Sequence, residues 1–328
     1  MTAKSGTDHV FLFLWSFITV VFAATSALSQ DYPNKPIRFI SSTPPGATPD
    51  VCTRLFADLL SVELKNPVIV ENRPGATGLI AVEAAARSAP DGYTFLGTTA
   101  ATLSTNPFLY PQGMIAVTGL DPVTKMVNSD FVIAASPSLG VHSFQELIKL
   151  IRAKPGALNA STTSKGSFAF LAGELLKQQG NLDFVTIPYT GGAASASALG
   201  GGHVHFSIEA PTMIEPLAQA GKAVFLATLG AQRNPRLANV PTVAEAGFQG
   251  YQVTGWIALM APKGTPREIV SLVQSRLAMA AQRSDVKARL AQMDFQPVLN
   301  TPDEFAAEWK AERDTWERLF KSRDIRID

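Results

Sequence analysis

Residues 36–78 read PIRFISSTPPGATPDVCTRLFADLLSVELKNPVIVENRPGATG, and this stretch decides the fold. It contains two strand, loop and helix units in succession. The first runs Ile37-Arg38-Phe39-Ile40, then the loop Thr43-Pro44-Pro45-Gly46-Ala47-Thr48-Pro49-Asp50, then a helical run from Val51. The second runs Val68-Ile69-Val70-Glu71-Asn72, then Arg73-Pro74-Gly75-Ala76-Thr77-Gly78, then another helical run. A Gly-rich loop that opens a helix leaves backbone N–H groups without intrahelical partners, and the helix dipole favours an anion beside them. A carboxylate can be held there without an arginine.

Working outward, strands and helices keep alternating, which predicts parallel α/β sheets. Tyr93-Thr94-Phe95-Leu96 reads as a third strand after the turn Pro90-Asp91-Gly92, and ends in a small polar loop, Gly97-Thr98-Thr99-Ala100. Phe131-Val132-Ile133-Ala134-Ala135 is a further strand, and so is the run from Val204 to Ile208 after Gly200-Gly201-Gly202. Capping boxes are expected at Ser143-Phe144-Gln145-Glu146, Thr265-Pro266-Arg267-Glu268 and Thr301-Pro302-Asp303-Glu304. The last helix spaces Phe305, Trp309, Trp316 and Phe320 as core aromatics. The middle of the chain is rich in Ser, Gly and Ala loops. The flanks carry the two loops above and the capped C-terminal helices. This difference predicts a discontinuous outer domain, residues 30–130 with 251–328, and an inserted domain of residues 131–250, with crossovers near Asp130 and Gly250.

Composition limits the function. The 328 residues carry 28 Lys plus Arg against 27 Asp plus Glu, a net charge of +1, which gives no support to a nucleic-acid surface. Residues 10–24 (VFLFLWSFITVVFAA) form an apolar run of signal-peptide length behind Lys4. Small residues follow, so residues 1–29 read as a signal peptide cleaved after Ser29. The single cysteine, Cys52, makes no internal bridge and reads as a small core residue beside Leu55, Phe56 and Leu59. An exported chain of this kind is expected in a bacterial periplasm.

The words Lys35-Pro36-Ile37-Arg38-Phe39, Pro44-Pro45-Gly46 with Asp50, and Glu71-Asn72-Arg73-Pro74-Gly75-Ala76 with Gly78 resemble the periplasmic solute-binding proteins of the tripartite tricarboxylate transporter family, the Bug receptors. The resemblance runs through the whole mature chain. It includes Pro90-Asp91-Gly92-Tyr93-Thr94, Asn106-Pro107-Phe108-Leu109-Tyr110, Lys154-Pro155-Gly156, Ile187-Pro188-Tyr189, Ala220-Gly221-Lys222, Val240-Pro241-Thr242-Val243-Ala244-Glu245-Ala246-Gly247 and Ala261-Pro262-Lys263-Gly264-Thr265-Pro266. It implies a two-domain periplasmic binding protein of the Venus-flytrap class, an α/β fold that closes on a small organic acid between its domains. Carried over residue by residue, the outer-domain site falls on Pro44, Gly46, Ala47, Thr48 and Asp50, with Thr98 and Thr99 behind. The middle-domain site falls on Thr162, Thr163, Gly166, Ser167, Tyr189, Thr190, Gly191 and Glu209.

Several positions depart from the family pattern. Ala47 stands where a second glycine is common, Ser164 where glycine is usual, and Lys165 where a small or neutral residue is usual. Phe170 replaces a common histidine and Ala198 a common aspartate. If Lys165 and Glu209 both face the ligand, Lys165 is a point charge for a carboxylate. Glu209 then either holds a ligand ammonium, which predicts an amino acid, or pairs with Lys165, which predicts a plain carboxylic acid. The plain acid is favoured because an unpaired buried Glu is costly. The hydroxyls of Thr98, Thr99, Thr162 and Thr163 have a second reading as satisfiers of turn backbone, and Asp50 has one as a helix-dipole partner.

The rival class is an enzyme, and the chain lacks Gly-x-Ser-x-Gly, a Walker A pattern, Gly-x-Gly-x-x-Gly and His-Glu-x-x-His. His203, His205 and Glu209 alternate as one face of a strand, an arrangement that seldom converges on a metal. The expectation is a monomeric receptor without metal or cofactor, its partners the ligand and the membrane subunits of a transporter. A signalling receptor shares the same fold and cleft.

Overall fold

A computed structural model describes residues 32–110, 116–163 and 167–322. The expected signal peptide, residues 1–29, lies outside them. The first unit is β1 (Ile37–Ser41) and α1 (Thr48–Leu64), the second β2 (Val68–Asn72) and α2 (Leu79–Ala86). Helix α1 starts three residues earlier than the sequence predicts, because Pro49 fits the first turn. Its apolar stripe of Cys52, Leu55, Phe56, Leu59 and Leu60 is buried. Burial pushes the Cys52 thiol up, as expected of a core residue.

Next come β3 (Thr94–Thr99) and β4 (Leu120–Ser129). Then follow β5 (Val132–Ala135), α3 (Phe144–Ala153), β6 (Asn159–Thr162) and α4 (Phe168–Gly180). After these stand β7 (Val185–Pro188), α5 (Gly192–Gly200), β8 (Phe206–Glu209), α6 (Pro211–Gln219) and β9 (Val224–Thr228). The chain closes with β10 (Gly255–Pro262), α7 (Arg267–Ala281), α8 (Ser284–Gln292), β11 (Phe295–Pro297) and α9 (Pro302–Ser322).

Two sheets result, ordered β11-β4-β10-β3-β1-β2 and β7-β6-β8-β5-β9. Neither is purely parallel, which corrects the expectation from the alternating pattern. Strands β1, β2 and β3 are parallel, but β10 runs antiparallel to both β3 and β4. In the second sheet β6, β7 and β8 are parallel and β5 is antiparallel to β8 and β9. The antiparallel members are the strands next to the crossings: the chain leaves the first sheet at Ser129, enters the second at Val132, and returns through β10.

Register fixes where the parallel strands end. Thr99 at the end of β3 pairs Ile257, and Ser129 at the end of β4 pairs Gly255. Glu209 at the end of β8 and Thr228 at the end of β9 flank Val132. Only Asp130 and Phe131 separate Ser129 from Val132, so the carboxyl ends of β3 and β8 face the joint between the sheets. Asp130 is buried there and accepts from Asn234 Nδ2 (2.9 Å) and Gln296 Nε2 (2.7 Å). Helix α9 spans both sheets' cores. Phe305 packs edge-on to Trp256 of β10, while Trp316 packs edge-on to Phe168 of α4, and the half-buried Phe320 stacks on Phe108.

Other details also differ from expectation. The Ser143 and Thr301 boxes form, each with its cap hydroxyl accepting from the Glu amide three residues on. The Thr265 box does not: Thr265 Oγ1 donates to Pro262 O (2.7 Å), leaving Pro266 at the cap. A box absent from the sequence reading forms at Thr242 and Glu245. The His203 amide donates to Ala198 O (2.9 Å), closing α5, so β8 begins only at Phe206 and the two histidines do not share its face with Glu209. No helix among the described residues is long and apolar enough to cross a membrane.

Candidate functional site

The first loop is held by Asp50, whose side chain is fully buried in the first turn of α1. Its carboxylate accepts from Gly46 N–H (2.9 Å), Arg54 Nε (3.0 Å) and Asn72 Nδ2 (2.5 Å). Burial is the largest influence and pushes the carboxyl up. The hydrogen bonds from Gly46, Arg54 and Asn72 together outweigh it and hold Asp50 below the ordinary carboxylate range. Asn72 also donates to Thr43 O (3.0 Å) and accepts from Arg54 Nη2 (2.6 Å). Asp50 is therefore a brace behind the loop, and Arg54 and Asn72, which the sequence reading missed, are its partners. The spacing of four between Asp50 and Arg54 was a legible signal; Asn72 lies on another strand.

In front of this brace, Pro44, Gly46 and Thr48 are exposed. Gly46 has φ +80°, and a Cβ there would meet nothing within 4 Å. Ala47 caps α1 with extended backbone and no side-chain bond, so the first-turn amides of Thr48 and Asp50 have neither cap nor helical partner. Behind the loop, the side-chain oxygens of Ser41, Ser42, Thr43 and Thr98 are buried without a hydrogen-bond partner among the described residues.

Thr98 and Thr99 lie on the end of β3 rather than in a loop, because β10 pairs with both. Thr99 Oγ1 is committed to Thr102, at 3.1 Å from its hydroxyl. Thr102 and Asn106 donate to Thr77 O, at 3.2 and 2.9 Å, bracing the second Gly-rich loop. That loop holds Gly75, Ala76, Thr77 and Gly78 at positive φ.

On the second sheet, Thr162 Oγ1 donates to Thr163 O (3.1 Å), and Thr163 Oγ1 donates to Ser167 Oγ (2.7 Å). Ser167 accepts from Phe170 N–H (3.2 Å), capping α4. These hydroxyls are tied to their own turn. Lys165 and Gly166 lie outside the described residues, and so does any pairing of Lys165 with Glu209. Tyr189 donates its amide to Thr162 O (2.9 Å) and is half-buried; Thr190 is exposed. Gly191, at φ +134° with open space around it, caps α5 without a side-chain bond.

Glu209 is 2% exposed, and burial pushes it up to about 7 against hydrogen bonds from the Ser195 hydroxyl and the Ala210 amide. Its Oε1 and Thr228 Oγ1, like the hydroxyls opposite, are buried without a partner among the described residues. Both sheets thus bring an uncapped helix N-terminus and unpaired oxygens to strand ends that face the joint. His205 Nδ1, by contrast, accepts from Asn159 N–H (3.0 Å), a structural bond outside this region.

Two mixed α/β sheets, with the carboxyl ends of their parallel strands at the joint, make a fold of the periplasmic binding protein class. The sequence profile of the tripartite tricarboxylate transporter family receptor matches residues 52–325, and the chain belongs to that family of periplasmic solute-binding receptors. It is 34% identical over 291 residues to protein BugT of Bordetella pertussis, across 88% of this chain and 89% of BugT. Among solved structures, Rpa4515 of R. palustris with adipate matches at 31% identity and a TM-score of 0.73, over 89% of this chain and 98% of that one. MatC of Rhodopseudomonas palustris with bound malate matches at 25% identity and 0.69, over 88% and 99%.

Proposed function

We propose that this protein captures a small organic acid in a cleft between two domains, residues 30–130 with 251–328 and residues 131–250, and delivers it to the membrane subunits of a tripartite tricarboxylate-type transporter. It acts as a binding protein rather than an enzyme, as a monomer exported to the periplasm after cleavage near Ser29. The observation that carries this reading is the set of buried, unpartnered oxygens beside two uncapped helix N-termini on facing strand ends. Buried polar groups are ordinarily paired, and a carboxylate with its ordered waters supplies the complement to amides and hydroxyls.

One carboxyl group of the ligand sits before Pro44, Gly46, Ala47 and Thr48, with Asp50 and Thr99 as supports and Thr98 behind. The other end reaches Tyr189, Thr190 and Gly191 with Thr162, Thr163, Ser167 and Glu209. Adipate and malate, carried by the two similar structures, make dicarboxylates the first class to try. A thermal-shift screen of dicarboxylates, tricarboxylates, amino acids and aromatic acids tests it. A ligand at 100 times its Kd adds about 2.7 kcal/mol of stability. Binding is also expected to shrink the radius of gyration in solution scattering as the lobes close. Saturation by an acid with no change in radius would exclude the cleft.

A further inference from the structure

Glu209 ends β8 on the second-sheet side of the cleft, and its two oxygens are not equivalent. Oε2 lies at the N-terminus of α5, where a Cβ on Gly192 would stand 2.9 Å from it. Ser195 and Ala210 donate to the carboxyl, and Oε1 is left buried with no partner among the described residues. Among the described residues, the elements around it bring no charge to face it. Strand β5 places Val132 alongside, α5 brings Gly192 and Ser195, and α6 brings Met213, which packs near Gly192. Glu215 of α6 is held by two bonds from Arg236 Nη2, at 2.8 and 2.6 Å. Helix α4 meets β8 through Gly173 against Ile208, on the opposite face, where its Glu174 and Lys177 pair with each other. Lys165, in the neighbouring loop, lies outside the described residues.

We propose that Glu209 is the specificity-determining group of this cleft, taking up one proton from solvent when an organic acid binds and presenting it on Oε1 as a hydrogen-bond donor. The inference rests on the reading of the cleft as a carboxylate site. Oε1 is the oxygen with no partner among the described residues, so the proton belongs there. An arriving carboxylate adds like charge and lobe closure removes water, and both favour the neutral acid. In the free protein burial already sets the group near balance, at about 7. A neutral Glu209 donates to an acid and discriminates against a ligand ammonium, which needs the ionised form.

Calorimetry of the full-length mature protein with adipate or malate, in two buffers of different ionisation enthalpy, counts the protons exchanged. Uptake close to one proton is expected near about pH 8, with affinity falling about tenfold from about pH 6 to pH 8. Glu209→Gln, which keeps a donor, is expected to bind with no pH dependence over that range. The proton count on the unsubstituted protein stands even if this variant folds poorly. Proton release on binding would overturn the proposal, because Glu209 would then be ionising to meet a cation. Binding with no proton exchanged would overturn it too while leaving the carboxylate reading in place. Failure of every acid to bind would instead remove the carboxylate reading and this proposal with it.

Discussion

Asp50, in the first turn of α1, and Glu209, at the end of β8, are each a buried carboxyl group beside an uncapped helix N-terminus. Burial pushes both up. Asp50 nevertheless ends below the ordinary range, and Glu209 ends near neutrality at about 7. The difference lies in the donors. Asp50 has three, one of them cationic, spread over both oxygens. Glu209 has two neutral ones and an oxygen with none. One carboxylate has become part of the scaffold; the other keeps an oxygen with free hydrogen-bonding capacity. Depth alone does not set the charge state of a carboxyl; the number and charge of its partners decide it.

Removing the brace should give a large effect. Asp50→Ala leaves the Gly46 amide, Arg54 and Asn72 without their acceptor. The loss is expected at about 3 kcal/mol, with Arg54 contributing less than a buried cation because it is partly exposed. Urea unfolding reads it, and a loss below about 1 kcal/mol would mean that Asp50 is not the brace. The pH dependence has a definite sign. A carboxyl depressed in the folded state adds stability above its unfolded value, about 3.9, and that stability is lost as pH falls through the folded value.

Glu209 should show the opposite sign and a comparable size. Its folded-state value is about 7, whereas an unfolded Glu loses its proton near about 4.3. Stability is then full below the lower value and declines as pH rises to about 7. Glu209→Gln removes the decline, so the variant should match the parent at about pH 4 and exceed it by about 3–4 kcal/mol at about pH 8. Parallel stability curves for the two proteins would place Glu209 among ordinary ionised carboxylates.

The two glycines in front of these acids sharpen the same contrast. Gly46 and Gly191 both have positive φ, and neither has an atom within 4 Å of where a Cβ would stand. Substitution by Val therefore meets no neighbour, and its cost to folding is backbone strain of about 1–2 kcal/mol. The side chain would stand before the open amides of α1 or α5. Each variant is expected to fold and to lose at least tenfold in affinity for the ligand found by the thermal-shift screen. Retained affinity in Gly46→Val alone would move the site toward the second sheet.

What could be read from the sequence was what depends on neighbours in the chain. Strands β1 and β2, their loops and the α1 stripe follow from local pattern. Strand β10 escaped because GWIALMAP is buried throughout, so it has no alternation, and its partner β4 mixes Asp121, Thr124 and Lys125 with apolar residues. Their pairing joins residues more than a hundred positions apart. The loop residues of the site came from family likeness, and their division of labour did not. Only geometry shows Thr163 and Ser167 tied to the α4 cap, or Asn72 reaching 22 residues back to Asp50. The histidines misled because Gly200-Gly201-Gly202 marks a helix end that continues through His203 before the strand begins.

The smallest effects test whether unpaired hydroxyls are meant for a ligand. Thr98 and Thr99 are adjacent on β3 and differ in what their oxygens touch. Thr99 Oγ1 bonds the Thr102 hydroxyl at 3.1 Å and accepts from the Thr102 amide at 3.4 Å. Thr98 Oγ1 is buried with no partner among the described residues. Valine keeps the shape of threonine and removes the oxygen. Thr99→Val should cost about 1 kcal/mol of stability, the usual net worth of a hydrogen bond. Thr98→Val should be neutral or slightly stabilising in the free protein, because an unsatisfied buried hydroxyl is itself a cost. If the hydroxyl instead serves a bound acid or its water, Thr98→Val should weaken binding several-fold while Thr99→Val changes it little. Calorimetry beside urea unfolding separates the two. A Thr98→Val protein that loses stability without losing affinity would return this hydroxyl to the scaffold, on the same footing as Asp50.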